Sequence, residues 1–218
     1  MVLRHGVWMQ DTDINQLTSL ILAQARSGAR MVVALAGPPG SGKSTATEHL
    51  WQALNARKSD VAAILPMDGY HYDDGLLMTM GRLAFKGAPD TFDVGGFAHT
   101  LRRLKQADED VVAVPVFDRS LEISRGSARL IARDVPVILA EGNYLLLEQQ
   151  PWRELRDLFN ITVKIVTPLD VIEQRLLARW RGFGLPEAEV KRKVSANDLP
   201  NALFVIDNSG AADFALPT

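Results

Sequence analysis

Apolar and polar positions along this chain follow two alternating patterns. The first is a short, unbroken apolar run closed by turn residues. It occurs at residues 31–36, 61–65, 135–140, 161–166 and 202–206. Runs of that length read as strands buried on both faces. The second is an apolar stripe at helical spacing. Residues 13–25 carry Ile14, Leu17, Leu20 and Ile21 on one side, closed by Ser27-Gly28. Residues 45–57 carry Leu50 and Leu54. Helices are predicted also at 94–106, 152–159, 169–181 and 186–194, with Asp93 capping the first of these. Alternation of strand and helix predicts an α/β fold: a doubly wound, mainly parallel five-stranded sheet. Residues 111–117 stand apart. Pro115 marks them as an edge strand, with 128–132 as the returning partner of a small β-hairpin.

The run 31–36 leads directly into Gly37-Pro38-Pro39-Gly40-Ser41-Gly42-Lys43-Ser44-Thr45. This fits G-x-x-x-x-G-K-[ST] between a strand and a helix, the setting a phosphate cradle needs. The glycines let backbone N–H groups turn inward, and the helix N-terminus adds positive potential. Lys43 is placed to reach the outer phosphates of a nucleotide, and the Ser44 hydroxyl to ligate Mg²⁺.

Ligands in open α/β sheets bind beyond the carboxyl ends of the strands. The strand 61–65 ends at Asp68, which suits a general base for an attacking hydroxyl; a turn carboxylate before Gly69 is the alternative. Tyr70 and His71 are candidates to line an acceptor pocket. The strand 135–140 ends at Glu141, a Walker-B-like position that suits Mg²⁺, or a cap on the next loop. Residues 75–81 are Met-rich and read as a helix over the pocket or a flap. Lys86, in an irregular Gly-Ala-Pro loop, is a phosphate or substrate contact or a solvated lysine. Phe117 and Tyr144 are further pocket candidates. Asp118 and Arg119 either face the acceptor or pair with each other in a turn. Arg175 and Arg179 are i,i+4 neighbours on a basic helical hairpin, residues 175–195, that reads as a lid or as a solvent-facing pair.

At 218 residues, with 47% hydrophobic and 23% charged residues, the chain suits one domain, 1–218. A net charge of −2 gives no electrostatic case for nucleic acid or an anionic membrane. The absence of cysteine excludes disulfides and thiolate chemistry. Apolar runs fall short of a membrane span and the N-terminus lacks a signal-peptide core, so a cytoplasmic location is expected. The sequence is compatible with a homodimer and does not fix the oligomeric state.

Together the P-loop at 37–44, Asp68-Gly69-Tyr70, Lys86-Gly-Ala-Pro-Asp-Thr-Phe-Asp93, Pro115-Val-Phe117-Asp118, Glu141-Gly142-Asn143 and Asn197-Asp-Leu-Pro200 resemble the uridine kinase, pantothenate kinase and phosphoribulokinase family. The resemblance spans about residues 31–208. It implies the P-loop NTP hydrolase fold, ATP as donor, Mg²⁺, and a hydroxyl acceptor on a small metabolite. It also implies a catalytic role for Asp68, an acidic role after the Walker-B strand for Glu141, catalytic basic positions of the lid helix for Arg175 and Arg179, and a place near the acceptor for Asn197. Two departures bear on substrate. Gly87 stands where uridine kinases have an aspartate for the ribose hydroxyls, and Glu122 lies where they have a histidine. The Lys86-Gly-Ala-Pro stretch is closer to pantothenate kinases. The resemblance extends to bacterial nucleoside- or fructose-transport-type kinases.

The expectation is therefore an ATP-dependent kinase acting on a sugar, nucleoside or pantothenate-like hydroxyl. The rival is a nucleotide-dependent switch or assembly ATPase without a small acceptor. Residues 68–72 argue against it, because a switch needs no acceptor base.

Overall fold

A computed structural model describes residues 2–4, 7–25 and 29–218, with side chains from Met9 onward. Ser27-Gly28, the expected stop of the first helix, lies outside the described residues. The sheet begins with β1 (Val2–Arg4) and β2 (Val7–Asp11), which pair antiparallel. Helix α1 (Ile14–Gln24) follows, and Asp13 caps it by accepting from the Gln16 N–H. Then come β3 (Met31–Ala36), α2 (Lys43–Arg57) and β4 (Ala62–Pro66).

A tight 3₁₀ turn, Met67–Tyr70, closes β4 and leads to α3 (Asp74–Thr79). After the irregular Gly-Ala-Pro loop, Asp93 caps α4 (Val94–Gln106) as expected, accepting from the Gly96 N–H. Strands β5 (Val111–Asp118) and β6 (Ile123–Ala132) form the hairpin, with an irregularity between Val114 and Val116. Pro115 lies there, where a missing N–H costs the ladder least. Strand β7 (Val137–Gly142), a 3₁₀ stretch from Trp152 to Leu158, and β8 (Ile161–Val166) complete the middle of the chain. Helices α5 (Leu169–Gly182), α6 (Glu187–Lys193) and α7 (Leu199–Asn208) precede β9 (Phe214–Pro217).

The strand order is β1-β2-β9-β8-β3-β7-β4, parallel from β2 through β4. The doubly wound, mainly parallel sheet is thus as expected, but it is wider than five strands. The run 202–206 is not one of them. It lies in α7, with Ala202 and Val205 buried one turn apart and Pro200 in the first turn. A short apolar run has no periodicity of its own, so flanking residues and packing decide between strand and helix. In its place the parallel sheet takes β2 and β9, which pair through Gln10–Phe214 and Asp11–Ala215.

Alternate residues of β3 feed two cores. Val32, Ala34 and Ala36 face the side covered by α4, through Phe97, Leu101 and Leu104. Met31, Val33 and Leu35 face α1 and α2, through Leu17, Ile21, Leu50 and Leu54. Burial on both faces makes β3 a rigid mount for the loop that follows it.

Candidate active site

The loop after β3 needs two residues in the left-handed region: Gly40 at φ +78° and Gly42 at φ +81°. A side chain there is strained, and space is also short. A Cβ on Gly40 would sit 2.9 Å from Leu176 Cγ, and one on Gly42 3.1 Å from Arg175 Nη1. Helix α2 starts at Lys43 with no side-chain cap, so its N-terminus remains available to an anion. The loop is braced from behind: the Ser41 carbonyl accepts from Thr218 Oγ1 at 2.7 Å, Thr167 Oγ1 at 2.9 Å and Arg175 Nη1 at 3.2 Å. Ser41 Oγ is buried and has no partner among the described residues.

Lys43 is buried beside two carboxylates. Burial lowers its pKa, while Glu141 and then Asp68 oppose the shift. Ser44 Oγ donates to Glu141 Oε2 at 3.1 Å. Glu141 is raised above its ordinary pKa, by burial first, against the pull of Lys43. A cation between Ser44 and Glu141 would restore the charge that burial resists, so this pair fits Mg²⁺. Among the described residues no three His, Asp or Glu side chains form a metal cage. Mg²⁺ takes few protein ligands and completes its shell with water and phosphate.

Asp68 sits in the 3₁₀ turn at the end of β4. Its Oδ2 is paired with Arg119 Nη2, and its Oδ1 is buried with no partner among the described residues. Burial raises the Asp68 pKa, but Arg119, His71 and Lys43 together outweigh it and hold the group below its ordinary value. His71 Nδ1 lies 2.7 Å from the Asp68 carbonyl oxygen. The His71 ring is held by Phe92 and Phe117, with centroids at 4.1 and 4.6 Å. Burial lowers its pKa, and Asp68 opposes the shift.

Two clefts meet along this line. The first, about 450 Å³, is lined by Asp68, His71, Lys86, Phe117, Asn143, Asn197 and the basic pair Arg192 and Lys193. The second, about 830 Å³, runs along the P-loop past Ser44, Thr45, His49, Arg175, Phe183 and Pro217. Gly40, Lys43, Arg119 and Arg179 belong to both walls. Asp68 thus lies in the wall of the first cleft, paired with Arg119, which lines both.

The Gly-Ala-Pro loop is fastened into the first cleft. Lys86 Nζ donates to Asp74 Oδ1 and to the Glu122 carbonyl, each at 2.5 Å. Asn197 Nδ2 donates to the Lys86 carbonyl at 3.0 Å, from a π-helical turn at 194–198. Widened turns of this kind cluster at functional sites. Trp180, between Arg179 and Lys193, donates through Nε1 to Asp198 at 2.5 Å.

Most of the residues singled out by sequence converge here. Pro39 and Gly40 line the first cleft; Gly42, Ser44 and Thr45 line the second. Gly37 backs the loop, where a Cβ would meet Ser41 Oγ at 2.8 Å, and the Pro38 carbonyl accepts from the Ser41 N–H at 3.1 Å. Three of the acceptor-side candidates line neither cleft. Tyr70 packs edge-on against Phe97 in the core, because residues 68 and 70 point apart in a tight turn. Tyr144 is buried against Trp152, and its hydroxyl donates to the Gly87 carbonyl at 2.5 Å, so it acts through the loop. The Asp118 carboxylate is used within its own turn, accepting from Ser120 Oγ at 2.6 Å and Arg125 Nη1 at 3.3 Å.

Arg119, which the sequence paired with Asp118 or left facing the acceptor, does not pair with Asp118; it lines the first cleft and reaches Asp68. Asn143 also lines the first cleft, with Oδ1 buried and without a partner among the described residues. The signal for both was their place directly after a strand end, the same signal that marked Asp68 and Glu141.

No protein-family model matches the chain. The uncharacterised Escherichia coli protein YggC is 34% identical over 186 residues, 84% of this chain and 76% of its own length. A Schizosaccharomyces pombe protein named "Putative uridine kinase C227.14" is 32% identical over 197 residues, 86% of this chain and 83% of its own. The crystal structure of a "putative fructose transport system kinase" from Silicibacter sp. TM1040 has a TM-score of 0.86 at 36% identity. It covers 93% of this chain and 98% of that one.

Proposed function

The chain belongs to the P-loop kinases related to uridine kinase and pantothenate kinase, and we propose that it transfers the γ-phosphoryl group of ATP to a hydroxyl of a small metabolite. The observation that carries this reading is Asp68. Its carboxylate lines a cleft sized for a metabolite of the sugar, nucleoside or pantothenate-like class. It is paired with Arg119 on the wall that this cleft shares with the P-loop cleft, and its Oδ1 has no partner among the described residues.

In this reading the backbone of residues 37–45 and Lys43 hold the β- and γ-phosphates. Ser44 and Glu141 would hold Mg²⁺, which would supply positive charge against the negative charge that develops in transfer. Arg175 and Arg179 approach the phosphates from α5, and the basic helices of 175–195 close over them as a lid. Asp68 accepts the hydrogen of the acceptor hydroxyl and aims its oxygen at the γ-phosphorus. The acceptor O–P bond forms, the bond from γ-phosphorus to the bridging oxygen breaks, ADP leaves, and the hydroxyl proton passes to Asp68. His71, Lys86, Phe117 and Asn197 shape the acceptor side. Catalysis is then mostly positioning and electrostatics.

The test is ATP consumption across a panel of sugars, nucleosides and pantothenate-like acids. Acceptor-stimulated turnover is expected, and Asp68→Asn should abolish it while MgADP still binds. Basal hydrolysis that no acceptor stimulates would favour a switch-type ATPase instead. Full turnover by Asp68→Asn would remove the base assignment.

A further inference from the structure

Arg119 stands at the junction of three recesses. It lines the acceptor cleft, the P-loop cleft and a smaller recess of about 210 Å³ shared with Ser44, Asp68 and Glu141. Its guanidinium lies over the Phe117 ring, 5.2 Å from the centroid. Its hydrogen bond among the described residues is the one to Asp68. The two partners are unequally held: the Arg119 side chain is 46% exposed and that of Asp68 12%. The carboxylate is therefore the fixed member and the guanidinium the one free to turn.

Arg119 stands among other cations. Lys43 and Arg179 line both cleft walls together with Arg119. Lys43, Arg119 and Arg179 thus face one region from the P-loop, the hairpin and α5. A phosphoryl group placed among them would satisfy all three, and the planar guanidinium can donate to two of its oxygens at once.

We propose that Asp68 and the γ-phosphate of a bound nucleotide compete for Arg119, so that nucleotide binding draws the guanidinium off the carboxylate. This rests on the kinase reading above. In the free protein Arg119 occupies Asp68 Oδ2. With the γ-phosphate in place it turns to the phosphoryl oxygens, stabilises the charge they carry in transfer, and leaves both carboxylate oxygens to the acceptor hydroxyl. Arg119 is then a catalytic residue, and the exchange makes the acceptor side ready when the donor has arrived.

Competition of this kind is readable from nucleotide binding alone. MgADP and the non-hydrolysable triphosphate MgAMP-PNP are titrated calorimetrically into the wild type, Asp68→Asn, Arg119→Gln, Arg119→Lys and the Asp68→Asn/Arg119→Gln double variant. The readout is the AMP-PNP/ADP affinity ratio, which cancels contacts to the adenosine and β-phosphate. Asp68→Asn is expected to raise the ratio roughly five- to hundredfold, the range typical of coupled sites. Arg119→Gln should lower it, Arg119→Lys should restore part of it, and the double variant should lose the gain. An equal gain in the double variant would mean that Asp68 acts by bulk charge only, and an unchanged ratio in Arg119→Gln would mean that Arg119 does not touch the γ-phosphate. Either outcome overturns the proposal. If the wild type binds neither nucleotide, the kinase reading itself falls.

Discussion

The Ser44 hydroxyl donates to Glu141 Oε2 across 3.1 Å, joining the first turn of α2 to the end of β7. Two elements far apart in sequence thus present together the pair proposed to hold Mg²⁺. Glu141→Gln keeps the size and an accepting oxygen but removes the charge. The Mg²⁺ concentration for half-maximal turnover is expected to rise roughly 10- to 100-fold, the scale seen when support of a metal site is lost. Binding of metal-free nucleotide should hold or tighten, since a nearby anion has gone. A Mg²⁺ titration of turnover, paired with nucleotide binding in EDTA, checks this; an unshifted Mg²⁺ curve removes Glu141 from the metal site.

Gly69 follows Asp68 and is pressed against the hairpin. A Cβ there would sit 2.5 Å from the Pro115 carbonyl oxygen and 2.7 Å from its carbon, both backbone atoms that cannot step aside cheaply. Gly69→Ala must therefore push β5 away, and β5 leads to Phe117 and Arg119. The expected cost is roughly 1–3 kcal/mol of stability, as for other overpacked contacts. Acceptor-stimulated turnover should fall more than MgADP affinity, because the P-loop rests on other elements. Denaturation and nucleotide titration of the variant test both halves; equal losses on the two sides would contradict it.

Tyr144 bears on the acceptor loop from inside the core. Its hydroxyl holds the Gly87 carbonyl at 2.5 Å while Asn197 holds that of Lys86 at 3.0 Å. Tyr144→Phe preserves the packing against Phe92 and Trp152 and removes one clamp. About 1 kcal/mol of stability should go with it, the usual worth of such a bond. The half-saturating concentration of whichever acceptor stimulates turnover should rise, with that of ATP unchanged. Equal changes for both substrates would show that Tyr144 supports the fold at large and not this loop.

What was legible in the sequence follows from how local each signal is. The P-loop is read within nine residues, and its strand and helix are fixed by solid burial on either side. Asp68 and Glu141 are found by position, since the ends of parallel strands open on the same edge of the sheet. The pairing of Arg119 with Asp68 escaped because the two are 51 residues apart. Only the packing of the hairpin on the 67–70 turn brings the two together. Tyr70 and Tyr144 were misjudged for a related reason: being next to a strand end does not say which way a side chain turns. The strands β2 and β9 are short, and their pairing joins opposite ends of the chain, so no local pattern announces them.

His71 offers a pH test that needs no substrate. Its imidazole is held below its ordinary value of 6.5 chiefly by burial; Lys86 and Arg119 act in the same direction and Asp68 against it. Between the folded and the ordinary value the unfolded chain binds a proton that the native protein does not. The resulting stability is present above about pH 6.5 and is lost as pH falls toward the folded pKa. Asp68, also depressed, acts below its ordinary 3.8, outside this window. Glu141, raised from 4.5, acts with opposite sign, but equally in a His71 variant and the wild type. The comparison is therefore wild type against His71→Gln, unfolded by urea at pH 7.5 and pH 5.5. The variant starts from a lower stability, having lost the ring between Phe92 and Phe117. The wild type should lose stability more steeply on acidification, so that the two approach one another at pH 5.5. Parallel losses would show that His71 takes up its proton as readily in the folded protein as in the unfolded chain.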